Sequence, residues 1–293
     1  MNAKQKALAT MKALTFGIEI ETVGRREDVA AAIHSVTGGQ INRGYSVSVT
    51  APDGRTWKVV RDGSVTGGGA EIVSPILRWD DMEQLQEIVR AVRTSRAGRI
   101  DHSCGIHIHL GAQSFDSKAL GRLVKTVRKQ EQLIYAAVGV TNDRQSRWAR
   151  PVTDRVVAAA EAGADLNGIN RAVYGRQNDR PMHYDHNRYH GLNLHNVFFR
   201  GTVEFRLFDA TLHAGKVKAM VQFCLALGAK AINGKSASAK RRPYNAATAK
   251  YDFRVFLLSL GLIGTEFKTC RLHMLSRLAG DSAFQNGRRS AAA

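Results

Sequence analysis

The sequence predicts an α+β protein built on a mostly antiparallel sheet. Short alternating runs follow one another without helices between them, which suits antiparallel neighbours and not parallel crossover units. Longer stretches with helical spacing supply a separate helical complement. Three of the strand-like runs repeat an ionisable residue at i and i+2. Each of these strands therefore has one apolar and one chemically loaded face.

Taken in order, residues 13–22 read as a strand, with strict alternation in Phe16-Gly17-Ile18-Glu19-Ile20-Glu21. Residues 27–36 form a short helix stopped by Gly38-Gly39. Residues 45–50 and 57–61 are strands around the turn Pro52-Asp53-Gly54. Glu71-Ile72-Val73 is a strand after a glycine break, and residues 80–96 carry an apolar stripe of Met82, Leu85, Ile88, Val89 and Val92. Residues 105–110 form a strand, and a long helix capped by Ser114 runs to about Val138. The Arg- and His-rich stretch 140–187 reads as loops with a helix near 156–162. Residues 192–199 and 202–208 suit a hairpin around Arg200-Gly201. Helices follow at 215–233, 251–262 and 266–278. A small, polar, basic linker separates the first two, and residues 280–293 read as a frayed end.

The 293 residues are 44% hydrophobic and 23% charged, with a mean hydropathy of −0.25, enough for a real core and against wholesale disorder. No apolar run approaches the ~18–20 residues of a membrane span, and the N-terminal residues lack the apolar core of a signal peptide. Three widely spaced cysteines exclude a disulfide framework and suit a reducing, cytoplasmic setting. The formal net charge of +18 points to acidic partners, and it is concentrated late: residues 216–293 hold 14 Lys and Arg against 3 Asp and Glu.

The three loaded strands are chemically complementary. Glu19 and Glu21 share a face, as do His107 and His109, and as do Glu204 and Arg206. Carboxylates and neutral imidazoles suit Mg²⁺ or Mn²⁺, and the guanidinium offers a donor fork for phosphate or carboxylate. As neighbours in one sheet these strands make a metal-and-anion floor backed by an apolar layer. Phosphate loops, dinucleotide fingerprints, His-Glu-x-x-His and Gly-x-Ser-x-Gly are all missing from the sequence. His183, His186, His190 and His195 read as scattered loop histidines, Cys104 as a small packing residue, and Trp57, Trp148 and Tyr189 as core or rim.

At these strands the sequence resembles the amidoligase family of the carboxylate–amine ligase superfamily, to which glutamine synthetase and glutamate–cysteine ligase belong. The matching words are Phe16-Gly17-Ile18-Glu19-Ile20-Glu21, Asp62-Gly63-Ser64, Glu71-Ile72-Val73-Ser74-Pro75, Cys104-Gly105-Ile106-His107-Ile108-His109, Asn193-Leu194, and Gly201-Thr202-Val203-Glu204-Phe205-Arg206. They run in order over about residues 15–227. The resemblance implies a glutamine-synthetase-like sheet with helices packed on one face, a catalytic domain over 1–233, and a basic linker with a helical extension over 234–293. It implies an ATP-dependent ligase that joins a carboxylate to an amine through an acyl phosphate. By position it implies one metal on Glu21 and Glu71, and a second on Glu19, His107 and Glu204. His109 falls beside the nucleotide phosphates, Arg206 on the transferring phosphoryl group, and Arg188 on a second anion. The roles of Asp62, Ser64 and the Arg144/Arg147/Arg150 cluster stay open.

Two other functions compete on the residues alone. A metal-dependent hydrolase of an amide or phosphoester would use the same acids and histidines without nucleotide. A basic nucleic-acid-binding protein on a degenerate ligase fold would show steeply salt-dependent binding. The intact acids and arginine on all three strands count against the latter.

Overall fold

The structure, a computed structural model, describes residues 2–44 and 46–285. Residue 45, at the head of one expected strand, and the end of the expected frayed tail lie outside the described residues. Nine strands form the sheet: β1 (Phe16–Gly24), β2 (Gln40–Asn42), β3 (Val47–Thr50), β4 (Thr56–Arg61), β5 (Ala70–Val73), β6 (Gly98–Arg99), β7 (Gly105–Gly111), β8 (Leu192–Asn193) and β9 (Thr202–Asp209). Their order is β2-β3-β4-β5-β1-β7-β9-β8, with β6 against the end of β1, and every pairing is antiparallel. This is the mixed helix and antiparallel-sheet class that the alternating runs predict.

The helices are α1 (Ala3–Ala13), α2 (Arg26–Thr37), α3 (Met82–Thr94), α4 (Ser117–Val138), α5 (Asn142–Arg147), α6 (Asp154–Glu161), α7 (Leu166–Tyr174), α8 (His195–Phe199), α9 (Ala214–Asn233), α10 (Ala249–Ser259) and α11 (Lys268–Met274). On the central strands one face is apolar. Ile18, Ile20, Ile106, Ile108, Val203 and Phe205 are at most 1% exposed, in one core with the buried side chains of α2, α4 and α9. Among the described residues no helix is long and apolar enough to cross a membrane.

Several local expectations fail for identifiable reasons. The helix α1 was not expected, because Lys4, Gln5 and Lys6 obscure its apolar stripe. It starts at an Asn2 capping box with Gln5 and buries Met11. The cap of α4 is Asp116, whose side chain accepts from the Ala119 amide; Ser114 belongs to a preceding turn. Residues 192–199 are not one strand. Asn193 Oδ1 accepts from the His195 amide at 2.9 Å, which turns the chain into α8 after only two strand residues. The strands β8 and β9 do pair, but through this helix and not a tight turn. The stretch 140–187 holds three helices where one was expected. Each of them starts at a side-chain cap, on Thr141, Thr153 and Asp165 respectively.

Candidate active site

Sheet register assembles the floor. Glu19 stands directly opposite His107, Glu21 opposite Glu71, and His109 opposite Glu204, so residues from β1, β5, β7 and β9 lie side by side. The β7–β9 ladder shifts between Ile106 and Ile108, leaving Arg206 and Leu207 against the single His107. Such a bulge re-aims side chains, and here it sits at the centre of the floor.

The contacts are dense. Imidazole Nδ1 of His107 lies 3.0 Å from Glu19 Oε2, and Arg206 Nη1 donates to Glu204 Oε1 at 2.6 Å. The other Glu204 oxygen accepts from Asn193 and Asn196 side-chain amides, both at 2.5 Å. The Gly105 amide donates to Glu21 Oε2 at 2.5 Å, and Arg200 Nη1 donates to Glu19 Oε1 at 3.4 Å. His109 Nδ1 is 3.0 Å from Thr202 Oγ1. Its Nε2 is buried without a hydrogen-bond partner, 3.5 Å from Glu19 and 3.9 Å from Glu204.

These contacts pull the acids in opposite directions. Burial alone would raise Glu204, but Arg206, His109 and His107 hold it at about 2. Burial also opposes ionisation of Glu19, yet His109 and His107 keep it well below the usual carboxylate range. Burial depresses His109, and the charges of Glu19 and Glu204 more than offset this, so its affinity for a proton rises. Glu71 goes the other way: burial, then Glu19, Glu21 and Asp62, push it well above its ordinary value.

Crowded carboxylates around an unpartnered imidazole nitrogen fit a hard divalent cation. Candidate ligand atoms fall within 4.8 Å of one another in three groups: Glu19, Glu71 and His107; Glu19, His109 and Glu204; and Glu21, Asp62 and Glu71. All the acids and histidines expected at the floor are therefore brought together, though in other groupings, with Glu71 also beside Glu19 and His107. His109 sits with Glu19 and Glu204, and Asp62 joins Glu21 and Glu71. None of the four loop histidines enters such a group among the described residues. His195 instead meets the Tyr174 hydroxyl at 2.7 Å, and His190 meets the Pro151 carbonyl at 2.8 Å.

Above the floor lies a cavity of about 650 Å³, ringed by the cations Lys58, Arg61, Arg188, Arg200 and Arg206. Arg188 is held by the His183 carbonyl at 3.1 Å, its guanidinium over the Tyr184 and Tyr189 rings. Sequence reasoning missed Arg200, Asn196, Lys58 and Arg61. Arg200 read as a turn residue, and Asn196 was hidden inside an expected strand. Only alternation along β4 could have flagged Lys58. Trp57 is buried core; Trp148 and Tyr189 line the cavity. Cys104 is buried, and burial raises its thiol, as a packing role requires.

Fold and floor thus define an α+β protein with an acid–imidazole–guanidinium centre on one sheet face. The profile of the family described as putative amidoligase enzyme matches residues 12–228, and the chain belongs to that family, a family of ligases. No curated protein matches the chain. Among solved structures, a bifunctional glutathione synthetase from Pasteurella multocida is similar at 13% identity and a TM-score of 0.40, over 94% of this chain and 49% of that one. The chain thus spans about half the length of that protein, and a likeness of this degree carries no argument about activity.

Proposed function

We propose that the protein is an ATP-dependent carboxylate–amine ligase. The observation that carries this reading is the floor itself. Seven ionisable side chains from four strands converge there, with the Nε2 of His109 and the Nε of Arg206 both buried and unpartnered. Buried polar groups without partners are rare, and a catalytic role or a bound ion is one account of them.

In this reading Glu21, Asp62 and Glu71 hold one Mg²⁺ or Mn²⁺ ion, and Glu19, His107, His109 and Glu204 hold another. Bound divalent ions neutralise phosphate charge and so favour phosphoryl transfer. A carboxylate oxygen of the substrate attacks the γ-phosphorus of ATP, the bond to ADP breaks, and an acyl phosphate forms. The amine then attacks the acyl carbon, phosphate leaves, and the amine loses a proton. Arg206, locked by Glu204 against the floor, presents its free Nε–H to the phosphoryl group in flight. Arg188, Arg200, Lys58 and Arg61 bind the remaining phosphate charge along the cavity wall. Asn193 and Asn196 position Glu204.

A glutamine-synthetase-like sheet belongs to the same proposal. So do a catalytic unit over residues 1–233 and a basic linker with helices over 234–293. The three free, buried cysteines suit a reducing, cytoplasmic setting.

A screen of amine and carboxylate pairs for ADP and phosphate release with Mg²⁺ or Mn²⁺ tests the reading. At least one pair should be consumed with stoichiometric amide formation. Glu19→Gln and Glu204→Gln should each lose about 100-fold or more, with the far-ultraviolet circular dichroism unchanged. Amide or phosphoester cleavage without nucleotide would replace the ligase by a hydrolase. Tight, salt-sensitive nucleic-acid binding indifferent to Glu19→Gln, without ATP consumption, would replace it by a binding protein.

A further inference from the structure

Beyond the cation-ringed cavity the floor continues into a second cavity of about 900 Å³. The two share Gly63, Ser64, His107, Trp148 and Arg206, so they form one trough over the sheet. Their charges differ. Lysine and arginine outnumber the carboxylates along the first, five to three, whereas in the second the acids Glu21, Asp101, Asp143 and Asp209 outnumber Arg144, Arg147 and Arg206. A trough end where carboxylates outnumber cations disfavours a polyphosphate and suits a zwitterion.

Arg144 is the unusual residue here. It is 9% exposed, and its Nε is buried with no hydrogen-bond partner. Its ion-pair contact is Asp209 Oδ1 at 3.9 Å from Nε, too long for a hydrogen bond. Burial disfavours the guanidinium charge, which Glu21 and Asp209 only partly offset. The site is also built around the side chain. A Cβ on Gly105 would overlap the Arg144 guanidinium, so glycine is required there for the fork to lie where it does. Its neighbours in sequence are accounted for otherwise. Arg147 is exposed and pairs with Asp143 at 2.9 Å, and Arg150 donates to the Tyr189 and His186 carbonyls at 3.1 and 2.5 Å.

A buried guanidinium with open donors matches a carboxylate, which accepts two parallel N–H bonds. Asp209 beside it lines the same cavity, is 36% exposed in its side chain and lies 3.6 Å from Arg277, so its carboxylate is accessible to an ammonium. We infer that this cavity binds the α-amino-acid headgroup of a substrate, its free carboxylate on Arg144 and its ammonium toward Asp209. The inference deepens the ligase reading and rests on it only for calling the ligand a substrate. The headgroup is an anchor: it leaves the reacting group of the same molecule pointing back toward Arg206.

Isothermal titration of the protein with the proteinogenic α-amino acids, each paired with its α-carboxamide, tests this without turnover. At least one amino acid should bind, with its carboxamide about tenfold or more weaker. Arg144→Met should bind acid and amide equally, and Arg144→Lys should discriminate in part. Gly105→Ala keeps the charge but displaces the fork, and it should lose discrimination too; circular dichroism reports which variants fold. Equal binding of acid and amide by the wild type overturns the inference. So does undiminished discrimination in folded Arg144→Met, or no binding by any member of the panel. A parallel titration with Mg–ATP separates the two readings. Nucleotide binding without amino-acid binding sinks this inference alone. Amino-acid binding without nucleotide binding sinks the ligase reading and leaves the headgroup site standing.

Discussion

The two faces of the same central strands are both buried and energetically opposite. Ile20 and Phe205 point into the helical layer at 1% and 0% exposure, while Glu204, one residue away, is 1% exposed on the other face. The apolar face gains about 25 cal/mol for each Å² it removes from water. The polar face spends part of that gain on desolvating charges, and it recovers some through ion pairs and hydrogen bonds such as those of Arg206, Asn193 and Asn196 to Glu204. The difference teaches that this sheet is held together by one side and carries its concentrated charge on the other.

Core truncation tests the first half of that contrast and should have the largest effect on stability. Phe205→Ala removes a fully buried ring from between the sheet and helices and should lower stability by about 3–5 kcal/mol, read as a large fall in the urea midpoint. Glu204→Gln keeps the volume and should fall well short of that, although the proposed turnover should drop about 100-fold or more. If the two variants lose similar stability, the floor is a structural ion network and the contrast disappears.

The acids of the polar face should separate by pH. Glu204 is held at about 2, below its unfolded value, so its contribution is complete above about pH 4.5 and is lost as pH falls through about 2. The stability deficit of Glu204→Gln should therefore shrink in acid. Glu71 is raised, so it is tolerated when protonated and becomes a burden as pH climbs through and beyond the ordinary carboxylate range. Without divalent ions, Glu71→Gln should melt higher than wild type at pH 8 and alike near pH 4. Thermal melts at the two pH values decide this, and a Glu71→Gln variant less stable at pH 8 would contradict the crowding.

The smallest effects are expected in the basic stretch after α9. The sequence alone leaves Lys240, Arg241 and Arg242 open between a solvated loop, a nucleic-acid contact and a rim that attracts an acidic substrate, but the structure ties two of them down. Arg242 donates to Asp252 at 2.6 Å, with its amide on the Lys129 carbonyl, and Arg241 lies 3.6 Å from Glu131. Lys240→Ser should leave the melting temperature unchanged, while Arg242→Ser should lower it slightly, since a half-exposed pair contributes about 1 kcal/mol or less. Neither should alter kcat. A salt-persistent fall in kcat for either variant would mean that this stretch reaches the trough.

The floor was legible in the sequence because strand periodicity is local. Residues at i and i+2 share a face whatever the rest of the chain does, so Glu19 with Glu21, His107 with His109 and Glu204 with Arg206 were fixed pairs before any fold was known. The apolar halves of the same strands and the antiparallel class followed from that alternation. Which pairs meet depends on register between strands distant in the chain, and local spacing carries no such information. Only the tertiary structure set Glu19 against His107 and Glu21 against Glu71, brought Asp62 to the second acid group, and put the bulge at His107. The same holds for residues whose role comes from a cap or a loop. Asn196 reaches Glu204 because Asn193 turns the chain into α8, and Arg144 is buried because Gly105, on another element, leaves room for it. Periodicity fixes what a strand presents; long-range packing decides what it is presented to.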